Sequence, residues 1–150
     1  MKPDRPLKPM DILLVEDNAG DIFLFRSSLN QSQVSHTLHQ VDTGEAALAF
    51  LRQQAEYADA PCPHLVVLDL NLPRKDGREV LAELKADPIL RRIPVIILTG
   101  SAAKQDILKS YDLHANCYIT KPSNLVDFKA LVQSLEAFWC HCVRLPAVKY

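Results

Sequence analysis

A chain of 150 residues with 17 basic and 18 acidic side chains and a net charge of −1 has no global field to draw it to nucleic acid or to an anionic membrane. Its 48% hydrophobic and 23% charged residues are the mix of a soluble domain that buries a core without staples. No segment reaches the ~18 apolar residues that span a bilayer, and no secretory leader is evident. Cys62, Cys117, Cys140 and Cys142 show no C-x-x-C spacing, which favours reduced thiols and a cytoplasmic location. Cys140 and Cys142 flank His141, but neighbours on a helix point about 100° apart, so structural cysteines explain the trio better than a metal site.

Residues 1–10, with three prolines and several charges, read as a flexible arm before a domain at 11–142, with a tail at 143–150. Asp11–Val15 is an apolar run that suits a buried strand and stops at Glu16-Asp17. Asp17 or Asn18 caps a helix in which Leu24, Phe25, Ser28 and Leu29 share one side. His36–Val41 is a second strand, and Asp42–Glu45 caps a helix with Ala47, Leu48 and Leu51 inward. Tyr57–His64 is a loop. Leu65–Leu68 is apolar on both faces and ends in Asp69. After a turn around Pro73 and Gly77, Val80, Leu81 and Leu84 face inward on a third helix that ends near Asp87-Pro88. Ile93–Leu98 is the fourth strand, Lys104–Leu113 a short helix and Ala115–Ile119 the fifth strand. Asn124 caps a last helix to about Cys142, whose inner stripe is Leu125, Phe128, Val132, Leu135, Trp139 and Cys142. Five strands alternating with five helices require right-handed crossovers, hence an open, doubly wound parallel sheet with ligands at the carboxyl ends of its strands.

The polar residues fall at those ends. Glu16 and Asp17 follow the first strand, Asp69 the third, Thr99 the fourth and Lys121 the fifth. Carboxylates gathered on one edge repel unless a cation sits among them, and oxygen donors without His or Cys point to Mg²⁺. An ionised Asp can attack phosphorus, Lys121 adds a positive centre and Thr99 a hydrogen-bond donor. Each residue alone is more simply a cap or a surface group; the set at four strand ends is not.

The stretches LLVEDN (13–18), VVLDLNLPRKDG (66–77), PVIILTG (94–100) and YITKP (118–122) resemble the receiver domains of two-component response regulators over roughly residues 10 to 142. The resemblance implies the flavodoxin-like strand order 2-1-3-4-5. It also implies Asp69 as phosphoacceptor, and Mg²⁺ held by Asp17, Asp69 and the Asn71 carbonyl, with Glu16 acting through water. Lys121 would contact acceptor and phosphoryl group, Thr99 would move toward the phosphoryl oxygen and Tyr118 would swing inward behind it. Gly100 stands where Ser or Ala is usual, which leaves the phosphoryl lifetime open. GREVLAELKADPILRRIPVIILTGS, SYDLHANCYITKP and FWCHCVRLP further resemble the regulators that serve cyanobacterial phytochromes, stand-alone receivers that form homodimers.

That resemblance makes a sensor histidine kinase, of phytochrome type, the expected partner and a homodimer the expected assembly, without nucleic acid or membrane. Leu131, Phe138, Val143 and Leu145 lie beside the inner stripe of the last helix and in the tail, where a second apolar face would serve dimerisation. Ile22 and Phe23 fall away from the inner side of the first helix, beside the acidic edge, as a kinase docking surface would. An aspartate-based phosphatase of haloacid-dehalogenase type would need a second Asp at position 71, which is Asn, and a pseudo-receiver would have lost part of the acidic set. The expectation is a signalling switch rather than a turnover enzyme.

Overall fold

The computed structural model describes residues 10–29 and 36–146. Five parallel strands, β1 (Met10–Val15), β2 (His36–Val41), β3 (Leu65–Leu68), β4 (Val95–Thr99) and β5 (Cys117–Thr120), form one sheet in the order β2-β1-β3-β4-β5. Helices α1 (Ala19–Leu29), α2 (Gly44–Leu51), α3 (Gly77–Ala86) and α4 (Lys104–Asp112) make the crossovers, and α5 (Leu125–Glu136) follows β5. This is the expected doubly wound, flavodoxin-like sheet.

The period-2 geometry of a strand splits each apolar run between two cores. Leu13, Val15, Val66, Leu68, Val95 and Ile97 face α2 and α3, where Ala47, Leu48, Leu51, Val80, Leu81 and Leu84 are fully or almost fully buried. Ile12, Leu14, Leu65, Val67, Ile96 and Leu98 face α1 and α5, against Phe25, Leu29, Phe128, Val132 and Leu135. The caps are local. Thr43 accepts from the Ala46 N–H, Asp76 from Arg78 and Asn124 from Asp127, each satisfying a donor in a helix's first turn.

Several boundaries differ from the sequence expectation. β1 begins at Met10, which is 8% exposed and paired with His36, one residue before the expected Asp11; residues 1–9 of the proposed arm lie outside the described residues. β4 starts at Val95, not Ile93, because Pro94 has no N–H and enters the ladder only through its carbonyl, which accepts from Val66. β5 is Cys117–Thr120, since Ala115 N–H closes the α4 turn on Ser110.

The end of α5 changes helix type. Ala137–Cys142 is a π-helical turn, closed by Val143 N–H on the Phe138 carbonyl at 3.0 Å. The wider turn rotates the register, so Cys140 packs against the core between the sheet, α1 and α5, while Cys142, expected inside, is exposed. Leu125, expected on the inner stripe, is 65% exposed in the first turn of the helix. Of the proposed tail, residues 147–150 lie outside the described residues.

α4 is the least anchored helix. Its only buried residue is Ser110, and Leu108 and Tyr111 point outward at 65% and 48% exposure.

Candidate functional site at the carboxyl edge of the sheet

The ladder itself brings the site together. Val15 pairs with Leu68, Leu68 with Ile97, and Thr99 with Thr120, so the residues that follow β1, β3 and β5 emerge on one edge with Thr99. Asp69 N–H donates to the Val15 carbonyl and Lys121 N–H to the Thr99 carbonyl, which fixes both backbones at the point where the side chains leave the sheet.

Glu16, Asp17 and Asp69 each place a carboxylate oxygen within 4.8 Å of the other two. Glu16 and Asp69 are buried, whereas Asp17 is exposed. Lys121 Nζ reaches Glu16 Oε1 at 2.5 Å, Asp21 Oδ2 at 2.8 Å and Asp69 Oδ2 at 3.0 Å. One ammonium therefore serves three carboxylates. Asp21 was not anticipated from the sequence, although it stands one helical turn beyond Asp17 and so returns to the same side of α1.

The site's charges differ in their hold on protons. Burial pushes the Glu16 carboxyl up to about 7, assisted by the neighbouring Asp69 charge and opposed by Lys121. Burial also acts to raise Asp69, but the Asn71 N–H, 3.1 Å from Oδ1, and the Lys121 ammonium outweigh it and hold Asp69 below the ordinary carboxylate value. Burial opposes the Lys121 charge, yet hydrogen bonds from its ammonium to Asp21 and Glu16 raise its pKa above normal. Lys121 stays charged and Asp69 ionised at neutral pH.

Thr99 is fully buried, and its hydroxyl makes no well-formed hydrogen bond among the described residues, although it lies near enough to Asp69 to favour the carboxylate. A buried polar atom left in that state is costly unless something arrives to complete it. Tyr118 is half-buried against the core that faces α2 and α3, and its hydroxyl donates to the Ser101 carbonyl at 2.8 Å. A Cβ on Gly100 would meet nothing within 4 Å, so space does not require glycine there.

The residues read as peripheral surfaces divide. Phe23 is 69% exposed, but Ile22 packs partly against the core between the sheet, α1 and α5. Phe138 is 55% exposed, Val143 is half-buried, and Leu131 and Leu145 pack partly against the same core. Val126, 77% exposed beside Leu125 in the first turn of α5, adds apolar surface that the sequence reading did not anticipate.

A family model described as the response regulator receiver domain matches residues 12–133. The chain is a response regulator receiver. It is 51% identical over 144 residues to response regulator Rcp1 of Synechocystis sp., covering 96% of this chain and 98% of that protein. The probable methanogenesis regulatory protein FilR2 of Methanothrix harundinacea is 36% identical over 138 residues, with 92% and 88% covered. Among solved structures, the Mn²⁺-bound form of Rcp1 aligns with TM-score 0.90 and 52% identity over 93% of this chain and 100% of that one. The phosphorylated cyanobacterial phytochrome response regulator RcpA aligns with TM-score 0.91 and 51% identity, over 93% and 100%. Among the described residues, no helix of this receiver is long and apolar enough to cross a membrane.

Proposed function

We propose that this receiver accepts a phosphoryl group on Asp69 from a sensor histidine kinase of phytochrome type and signals through the resulting change in its α4–β5–α5 face. The observation that carries the reading is one arrangement: an ionised, buried Asp69 between a charged Lys121 and the under-bonded Thr99 hydroxyl. The partner class follows from the resemblance to regulators whose names include phytochrome. A cytoplasmic location and the absence of a nucleic-acid or membrane partner fit the balanced charge.

Asp69 supplies the nucleophilic oxygen. The P–N bond of the kinase phosphohistidine breaks, a P–O bond to Asp69 forms, and the imidazole nitrogen takes up a proton. The Asn71 N–H fixes one Asp69 oxygen and leaves the other on the Lys121 side. Lys121 stabilises the arriving charge, and the Thr99 hydroxyl donates to a phosphoryl oxygen, ending its isolation. Glu16, Asp17, Asp69 and the Asn71 carbonyl would hold Mg²⁺, and the all-oxygen donor set suits it. When bound, the ion supplies charge neutralisation on the transferring group. The protein turns over no substrate of its own.

For dimerisation, Phe138 and Val143 offer accessible surface, and Leu131 and Leu145 are partly buried against the core. For kinase docking, Phe23 beside the acidic edge is the exposed anchor, with Ile22 behind it.

Asp69→Asn tests the reading. With Mg²⁺ and acetyl phosphate, the parent gains one phosphoryl mass by intact mass spectrometry and the variant gains none, while both keep the same circular dichroism. Equal labelling of the variant removes Asp69 from this role.

Glu16 adds a pH signature. Ion binding must displace the proton that burial holds on Glu16 at acid pH, so Mg²⁺ affinity rises as the pH climbs through about 7. Between pH 6 and 8 the affinity is expected to strengthen about tenfold, the ratio of ionised Glu16 at the two values. Titration calorimetry giving one affinity at both pH values would contradict the protonation of Glu16.

A further inference from the structure

α4 has almost no apolar anchor, since Ser110 is its one buried residue and Leu108 points to solvent. Its first turn is held instead by a polar chain. Asp106 takes Arg78 Nη2 on one oxygen and the Ser101 hydroxyl on the other, both at 2.5 Å. Arg78 also grips both Asp76 oxygens, at 3.1 and 2.9 Å, and Asp76 is the cap of α3. The α3 end is rigid, because Gly77 packs so closely on the Asp69 backbone that a Cβ would lie 2.2 Å from the Asp69 carbonyl oxygen. At the other end, the Ser101 carbonyl receives the Tyr118 hydroxyl, and Ser101 lies two residues beyond Thr99. Tyr118 sits within electrostatic reach of Asp106, Arg78 and Asp69 alike.

We infer that Arg78 and Asp106 are positioning residues of the phosphoacceptor site: a bridge from α3 to α4 that holds the Thr99–Ser101 loop in its receptive place before any phosphoryl group arrives. The inference rests on the proposed roles of Thr99 and Tyr118. The Thr99 hydroxyl is buried beside Asp69 and the Tyr118 hydroxyl donates to the Ser101 carbonyl, so both depend on where the Thr99–Ser101 loop lies. Apolar packing of α4 does little to hold that loop. A network of several charges with two-pronged Arg geometry has the strength that a lone surface pair lacks. Neither residue touches the reacting atoms, so both act through Ser101 and its loop.

The bridge predicts a specific thermodynamic pattern. Beryllofluoride, a phosphoryl mimic, is titrated with Mg²⁺ into the parent, Arg78→Gln, Asp106→Asn and the double variant, and Mg²⁺ is titrated alone into each. Each single variant is expected to bind beryllofluoride at least fivefold more weakly, the double no worse than the weaker single, with Mg²⁺ affinity within twofold of the parent. Coupling of that form assigns the effect to the bridge rather than to the separate residues. Single variants that match the parent, effects that multiply in the double variant, or a parallel loss of Mg²⁺ affinity would each overturn the bridge while leaving the Asp69 reading intact. A parent that binds no beryllofluoride, or an Asp69→Asn protein that binds it equally, would overturn the reading and the bridge with it.

Discussion

Lys121→Met is expected to abolish the response to phosphodonor and, at pH 8, to cost about 3 kcal/mol of stability, because it leaves buried carboxylates without their shared cation. Lys121 is 13% exposed in its side chain, so solvent screens its contacts little. The pH dependence gives the test its sign. In the parent, Asp69 is held below its ordinary 3.8, so its contribution is present above that value and is lost as the pH falls through its folded pKa. Glu16 is displaced the opposite way, from 4.5 to about 7, so its ionisation opposes folding across that interval even beside the ammonium. Without Lys121 both carboxyls rise further, and the variant weakens as the pH rises while the parent is buffered by the ammonium. The gap between them is therefore widest near pH 8, narrows toward pH 5 and is partly closed by Mg²⁺. Urea denaturation at both pH values, with and without Mg²⁺, measures it. A gap of equal size at every pH would show that Lys121 acts by packing its stem rather than by its charge.

Gly77→Ala is the second large effect, and it comes from space rather than from backbone freedom. No glycine among the described residues has a positive φ. At Gly77 a Cβ would sit 2.2 Å from the Asp69 carbonyl oxygen and 2.6 Å from the Leu70 Cα, both backbone atoms that no rotamer change can move away. The first turn of α3 and the phosphoacceptor backbone must then separate. Overpacking of that kind costs about 3 kcal/mol. It also shifts Asp69 relative to Lys121, so Mg²⁺ affinity and acetyl-phosphate labelling fall together with the urea midpoint. Gly100→Ala is the matched control, because its Cβ meets nothing within 4 Å, and its midpoint should stay within about 0.5 kcal/mol of the parent. If Gly77→Ala is as stable and as active as that control, α3 does not buttress the site.

Much of this molecule was legible before any coordinates. The apolar runs at Leu65–Leu68 and Ile93–Leu98 have the pattern of buried strands, and the strands β3 and β4 that they contain are buried throughout. The site was legible for a related reason. A parallel sheet delivers whatever follows each strand to the same edge, so Glu16, Asp17, Asp69, Thr99 and Lys121 were neighbours as soon as the strands were placed. Asp21 was missed because it belongs to a helix, whose position above that edge depends on how α1 packs rather than on where β1 stops. The inner stripe of α5 held for Phe128, Val132 and Leu135 and failed at both ends. Leu125 is exposed, and the π turn at Ala137–Cys142 moves Cys140 inward in place of Cys142. A pattern drawn at 3.6 residues per turn cannot register either change.

The sequence by itself determined the strand-helix alternation, the two cores and the carboxylate edge, since hydrophobic period and crossover handedness are local rules applied repeatedly along the chain. Only the tertiary structure decided which charges meet and in what state. The single ammonium of Lys121 shared by three carboxylates, the upward shift of Glu16 by burial, the Thr99 hydroxyl beside Asp69 and the Arg78–Asp106 bridge all join residues from different elements. Their energies depend on distance and desolvation, which no spacing along a chain encodes.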